Sequence, residues 1–149
     1  MATTAADPVF VDTNVLVYST RPLSTHHAAA AGALARLGGA GSTLWISSQI
    51  LREYLAAVTR PQATAPGLPM KTAISDVRRF RMAFHVAEER ASALDRLIEI
   101  LSAHRVAGRQ VHDANIVATM LDCSVHRLLT FNSADFQRFV PLIEIDALP

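Results

Sequence analysis

The amino-acid sequence predicts an α/β domain whose central, mostly parallel sheet has four to five strands. Short apolar runs such as Val9-Phe10-Val11 and Leu128-Leu129-Thr130 have strand length and stop at polar turn formers. Between them lie longer stretches with apolar residues at helical spacing, and the two kinds alternate along the chain. The 149 residues are the length of one domain, and no internal repeat or low-complexity segment divides them. Half of the residues are hydrophobic and 18% are charged, which excludes an intrinsically disordered chain.

The first element is the Val9–Val11 strand, apolar on both faces and therefore expected to be buried and central. It ends at Asp12-Thr13-Asn14, after which Val15 to Tyr18 resume apolar character. Ser24 or Thr25 is placed to cap a helix over His26–Leu37, which Gly38-Gly39-Ala40-Gly41 breaks. Leu44-Trp45-Ile46 is the second strand. Ser47-Ser48 then offers a cap to a helix striped by Ile50, Leu51, Tyr54, Leu55 and Val58, ended by Arg60-Pro61. Pro66-Gly67 and Pro69 mark residues 62–70 as a surface loop, whose apolar residues suit either core burial or contact with another chain.

A helix over Lys71–Met82 follows, with a weaker stripe of Ile74, Val77 and Phe80, and then a brief strand at Phe84-His85-Val86. Leu94, Leu97, Ile98 and Leu101 share one face of a helix expected over Glu88–Arg105 and ended by Gly108. Val111-His112-Asp113 opens another helix, striped by Ala114, Val117, Ala118 and Leu121. After the Leu128 strand come a short turn or helix through Phe139 and an edge strand at Leu142–Ile145.

Composition narrows the function classes. Fourteen basic against thirteen acidic residues give a net charge of +1, so bulk charge does not draw this chain to nucleic acid. An anionic substrate has to be met by local arrangement or by metal ions. The lone Cys123 forms no internal disulfide, which fits a reducing cytoplasm. The first eight residues lack the basic and apolar regions of a secretory leader, and residues 1–7 read as a flexible N-terminal stretch before one domain. No apolar run reaches the roughly 18 residues that span a bilayer, so no membrane association is expected.

Four acids carry the functional signal. Asp12 closes the first strand, Glu53 lies in the first or second turn of the helix after the second, Asp113 opens the helix leading into the Leu128 strand, and Asp135 follows that strand. In a parallel sheet the crossover helices start at the strands' carboxyl edge, so all four fall on the edge where α/β folds build sites. Each has a plainer reading: Asp12 as a turn former, Asp113 and Asp135 as caps, Glu53 on a solvated face. Together they are a different matter. Two carboxylates about 4 Å apart repel by roughly 1 kcal/mol in water and about 4 kcal/mol at an effective dielectric of 20, and a divalent cation relieves that cost. Hard oxygen ligands point to Mg²⁺ or Mn²⁺ and not to zinc.

Phe10-Val11-Asp12-Thr13-Asn14-Val15-Leu16 resembles the opening motif of PIN-domain ribonucleases. Leu51-Arg52-Glu53-Tyr54-Leu55, Val111-His112-Asp113-Ala114-Asn115-Ile116-Val117-Ala118 and Leu129-Thr130-Phe131-Asn132-Ser133-Ala134-Asp135-Phe136 resemble the later motifs, in order and spacing. The likeness runs from about Val9 to Ile145, and the chain's length is similar to that of VapC-type toxins of bacterial toxin–antitoxin pairs. It implies a three-layer α/β/α fold and an Mg²⁺- or Mn²⁺-dependent endoribonuclease that forms a homodimer and is silenced by an antitoxin. The family's acids map onto Asp12, Glu53, Asp113 and Asp135. Asn132 is then a polar helper, and Thr13, Asn14 and Thr130 orient carboxylates or waters. Arg21, Arg52, Arg109 and His112 are candidate RNA contacts, although solvated positions suit most of them.

Two rivals are weaker. A catalytically silent PIN-like module binding RNA or protein would not need the full acid set. Phosphoryl-transfer domains also place Asp after the first strand, but the dehalogenase pattern wants an acid where Asn14 stands. The receiver pattern wants a late lysine, and Lys71 is the sole lysine.

Overall fold

The computed structural model describes residues 6–149, so most of the expected N-terminal stretch 1–7 lies outside the described residues. Among the described residues, β1 (Val9–Val11), β2 (Leu44–Ser47), β3 (His85–Ala87), β4 (Arg127–Thr130) and β5 (Glu144–Ala147) form one sheet in the order β3-β2-β1-β4-β5. Every pairing is parallel. In β1, Phe10 stands opposite Trp45 of β2 and Leu128 of β4. The strand is flanked on both sides, and its three residues have no exposed surface, which is why the run carries no polar face.

Helices α1 (Thr13–Ser19), α2 (His27–Gly39), α3 (Ser48–Thr59) and α4 (Met70–Ala83) pack on one another; α5 (Ala91–Ala103), α6 (Gln110–Asp122) and α7 (Ser133–Phe136) form a second group. The chain steps from β1 through β2 to β3 on one side, then crosses back to β4 and β5 on the other. Right-handed crossovers then place the two helix groups on opposite faces, giving three layers. The stepping direction reverses between β1 and β4, and the crevice at their carboxyl ends is where such sheets bind ligands. Among the described residues no helix is long and apolar enough to cross a membrane.

Several expected boundaries shift, each for a visible reason. Val15 to Tyr18 belong to a helix, α1, because Asp12 adopts an extended conformation and caps it. Helix α2 runs two residues past Leu37, and Gly41, with φ of 83°, supplies the reversal. Phe84 is not in β3 but closes α4, its N–H donating to the Phe80 carbonyl at 2.8 Å. In α4 the buried face is Ala73, Asp76 and Phe80, whereas Ile74 is exposed. Buried Asp76 is held by the Tyr54 hydroxyl at 2.8 Å and by Arg79. Strand β5 starts at Glu144, two residues late, because Leu142 and Ile143 still donate to the Phe139 carbonyl.

The largest correction concerns α5, which spans Ala91–Ala103 and not residues 88–105. Residues 88–90 are held outside it: Glu89 accepts from the Gln49 backbone N–H at 3.0 Å, and Arg90 pairs with Asp122 at 3.0 Å. His104 is already extended, so the helix ends before Gly108 is reached. The buried positions are Ala93 and Ile100, with Leu97 and Leu101 half-buried, while Leu94 and Ile98 are more than half exposed. In the loop, Leu68 packs on the core and donates its N–H to Val58 at 2.8 Å. Beside it, a Cβ on Gly67 would run into the Thr59 carbonyl, so that close approach admits only glycine.

Candidate active site

Asp12 leaves β1 at the β1–β4 crevice and is 6% exposed. Its backbone N–H donates to Leu129 of β4 at 3.0 Å, which fixes the Cα. One carboxylate oxygen accepts from the Thr13 N–H at 2.7 Å; the other accepts from the Thr130 hydroxyl at 2.7 Å and the Asn14 amide at 3.0 Å. Burial lifts its pKa from 3.8 to about 6, against the hydrogen bonds from Thr130 and Thr13, and the charges of Glu53 and Asp113 add to the rise.

Glu53 lies in the second turn of α3, whose start is fixed by the Ser47 hydroxyl accepting from the Ile50 N–H at 3.3 Å. It is not on a freely solvated face. One oxygen accepts from the Thr13 hydroxyl at 2.8 Å and the other from the Gln49 amide at 2.8 Å. Asp113, in the first turn of α6, is half-buried. Burial raises its carboxyl to about 6, the charges of Asp135 and Glu53 push the same way, and Arg138 and His112 partly offset them. Asp135 lies in the first turn of α7 and is exposed.

All four acids line one groove of about 1100 Å³, together with Thr13, Asn14, Asn132 and the proposed contacts Arg21, Arg52, Arg109 and His112. Thr130 lies beneath the groove and is fully buried, its hydroxyl also accepting from the Asn132 N–H at 2.9 Å. Arg52 is largely exposed and paired with Glu89 at 3.4 Å. The acids share a groove but not a single coordination shell: among the described residues no three His, Cys, Asp or Glu side chains are placed to hold one ion together.

Sequence reasoning missed Gln49. Its side chain is buried and spans two helices from opposite faces of the sheet. The amide nitrogen donates to Glu53 and to the His112 carbonyl at 3.0 Å, while its oxygen accepts from Asn115 of α6 at 2.6 Å. Gln49 therefore sets the separation of Glu53 from the start of α6, and with it Asp113. Arg138 was missed too. It donates to the Arg105 carbonyl and Gln110 at 3.0 and 2.8 Å, and its place three residues after Asp135 was the only signal.

Solved structures share this architecture. VapBC2 from Rickettsia felis, bound to a DNA fragment from its promoter, superposes with a TM-score of 0.68 at 19% identity, covering 95% of this chain and 98% of that one. DNA-bound VapBC from Salmonella typhimurium gives the same four figures. VapC20 from Mycobacterium tuberculosis, described as a sarcin–ricin loop cleaving toxin, gives 0.61 at 20% identity over 80% of this chain and 86% of that one. At such identities the likeness is one of fold. No curated protein sequence matches the chain at a significant level. The PIN-domain family profile, however, matches residues 9–140, from the first residue of β1 almost to β5 and across all four acids; the chain belongs to the PIN-domain family.

Proposed function

We propose that this protein is a metal-dependent endoribonuclease hydrolysing RNA phosphodiester bonds, and that it acts as the toxin of a toxin–antitoxin pair. One observation carries the reading: four carboxylates from remote stretches of chain share a groove in which two of them are driven toward neutrality by burial and by one another. Such crowding is costly for an isolated fold and suits one that binds a dication. The donor set fits Mg²⁺ or Mn²⁺, since it is all hard oxygen, and magnesium usually takes only one or two carboxylates directly and keeps several waters. Acids that share a groove without crowding into one shell are therefore compatible with it.

Asp12 and Asp113 would hold the ion, with Glu53 and Asp135 completing the set directly or through water. When bound, the ion supplies an activated water and positive charge for the phosphate. The chain's own groups keep the acids in place. Thr130, Asn14 and the Thr13 N–H orient Asp12, while the Thr13 hydroxyl and Gln49 hold Glu53 between α1 and α6. Arg21, Arg52, Arg109 and His112 offer positive or hydrogen-bonding groups along the groove for the RNA backbone. A homodimer, a cognate antitoxin and a cytoplasmic location belong to the same reading; the antitoxin is supported by the likeness to VapBC and toxin–antitoxin complexes.

A catalytically silent module that binds RNA or a protein has one observation in its favour, the absence among the described residues of a ready-made three-ligand cluster. The test separates the two. Purified wild-type chain should cleave RNA with millimolar Mg²⁺ or Mn²⁺ and stop in EDTA, and Asp113→Asn should lower the rate at least about a hundredfold while melting as a folded protein. Growth arrest on expression, relieved by co-expressing the neighbouring reading frame, tests the toxin role. Wild-type cleavage by Asp113→Asn, or cleavage indifferent to EDTA, would sink the nuclease proposal.

A further inference from the structure

We propose that Tyr18 and Arg21 form a subsite for the nucleotide beside the scissile phosphate, its base stacking on the Tyr18 ring and its phosphate meeting the Arg21 guanidinium, and that the substrate is single-stranded there. The inference deepens the RNA-hydrolase reading and rests on it.

Tyr18 lies four residues after Asn14 in α1, on the same helix face and about 6 Å further along the axis. Asn14 touches Asp12, so Tyr18 stands one turn outward from the acid corner. Arg21 follows in the turn that closes α1, its N–H donating to the Tyr18 carbonyl at 3.2 Å. All three line the groove that holds the acids. Acid, ring and cation thus succeed one another along one wall, in the order that one nucleotide step presents phosphate, base and phosphate.

The ring is braced, and the brace is tied to the acids. Tyr18 meets Phe131 edge to face at 5.0 Å and 87°, and His26 at 4.8 Å and 41°; His26 and Phe131 are themselves 5.0 Å apart. The Phe131 N–H donates to the Asn14 side-chain oxygen at 3.2 Å. Tyr18 packs on the edge of the core yet stays half-buried and lines the groove wall, whereas Phe10, Phe136 and Phe139 are enclosed. A ring already held in place loses little freedom when a base stacks on it. Arg21 reaches the carbonyls of Ala57 and Val58 at the end of α3 through one terminal nitrogen, at 3.5 and 3.4 Å. Its other two nitrogens carry three further donors for a phosphate. Bases in a duplex are stacked on each other and out of reach of such a ring, so the segment it reads is single-stranded.

The experiment uses an RNA of about eight nucleotides with a central 2-aminopurine, whose fluorescence falls on stacking, titrated in EDTA against the full chain and its variants. Wild type and Tyr18→Phe should bind and quench alike. Tyr18→Leu should bind about tenfold more weakly, without quenching, and Tyr18→Trp should restore both. Arg21→Gln should keep the quenching but bind more weakly, with a shallower salt dependence. The same oligomer as DNA should behave alike, because neither group reads the 2′-hydroxyl; a DNA arm that fails to quench would overturn the stacking geometry. Equal binding and quenching by Tyr18→Leu, with wild type still cleaving RNA in Mg²⁺, would overturn the subsite alone. A wild type that neither binds nor cleaves RNA would overturn the enzyme reading with it.

Discussion

Replacing Asp12 by asparagine should flatten the pH dependence of stability below neutrality. The Asp12 carboxyl rises from 3.8 to about 6 on folding, first because it is buried and then because Glu53 and Asp113 repel its charge. A carboxyl with a raised folded pKa makes the folded state bind the extra proton between about pH 4 and 6. The Asp12 contribution to stability is therefore greatest below the unfolded value, declines as pH climbs through that window and is level above it. At 1.36 kcal/mol per pKa step, Asp12 accounts for about 3 kcal/mol of that decline. Half-buried Asp113 moves in the same direction and adds less, because solvent screens it. In Asp12→Asn the amide oxygen keeps the Thr13 N–H, but the amide nitrogen replaces the oxygen that accepts from Thr130 and Asn14, at a cost of about 1–3 kcal/mol. Loss of the charge and loss of an acceptor nearly offset each other at neutral pH, so the slope is the informative quantity. Urea unfolding in EDTA between about pH 4 and 7 measures it. Mg²⁺ at ten times its dissociation constant should add about 1.4 kcal/mol, or about 4 °C, to the wild type and little to the variant. A wild type that gains stability as pH rises through the window, or a variant that keeps the full slope, would refute the reasoning.

Gln49→Leu strips donors or acceptors from Glu53, the His112 carbonyl and Asn115 at once, and should destabilise the fold by about 2–3 kcal/mol while cutting RNA cleavage more than that loss explains; thermal melts and turnover below the melting range check it. Gly67→Ala should cost about 1–3 kcal/mol, read in urea unfolding, because the new methyl meets the fixed backbone carbonyl of Thr59 and not a side chain that can turn away.

The layers of this fold were legible because its buried strands carry no polar face and its helices alternate with them. The acids were legible for a related reason: once the strands are placed, a parallel sheet dictates which ends of which helices meet. What escaped was set by contacts distant in sequence. Helix α1 packs Val15-Leu16-Val17 in an unbroken apolar run with no period to read, and its start depends on Asp12 being held by β4. The start of α5 is chosen by Glu89 and Arg90 reaching to α3 and to the end of α6. Gln49 and Asn115 stand 66 residues apart, so nothing local marks them as partners. The exposed stripe of Leu94 and Ile98 obeys helical spacing as well as any core face does; periodicity shows that a face is apolar, and only packing shows whether it is covered.

The central position of β1 has a temporal consequence. It is the first of the five described strands to be made, yet its β4 neighbour follows more than a hundred residues later, and the hydroxyl that steadies Asp12 is separated from it by 118 positions. During synthesis the nascent chain holds an apolar ribbon with one open flank and a carboxylate lacking its second anchor, a species suited to chaperones and to aggregation alike. Ribosome-bound intermediates that stop short of β4 accordingly lack the complete groove, and the full set of four acids waits for translation to pass Asp135.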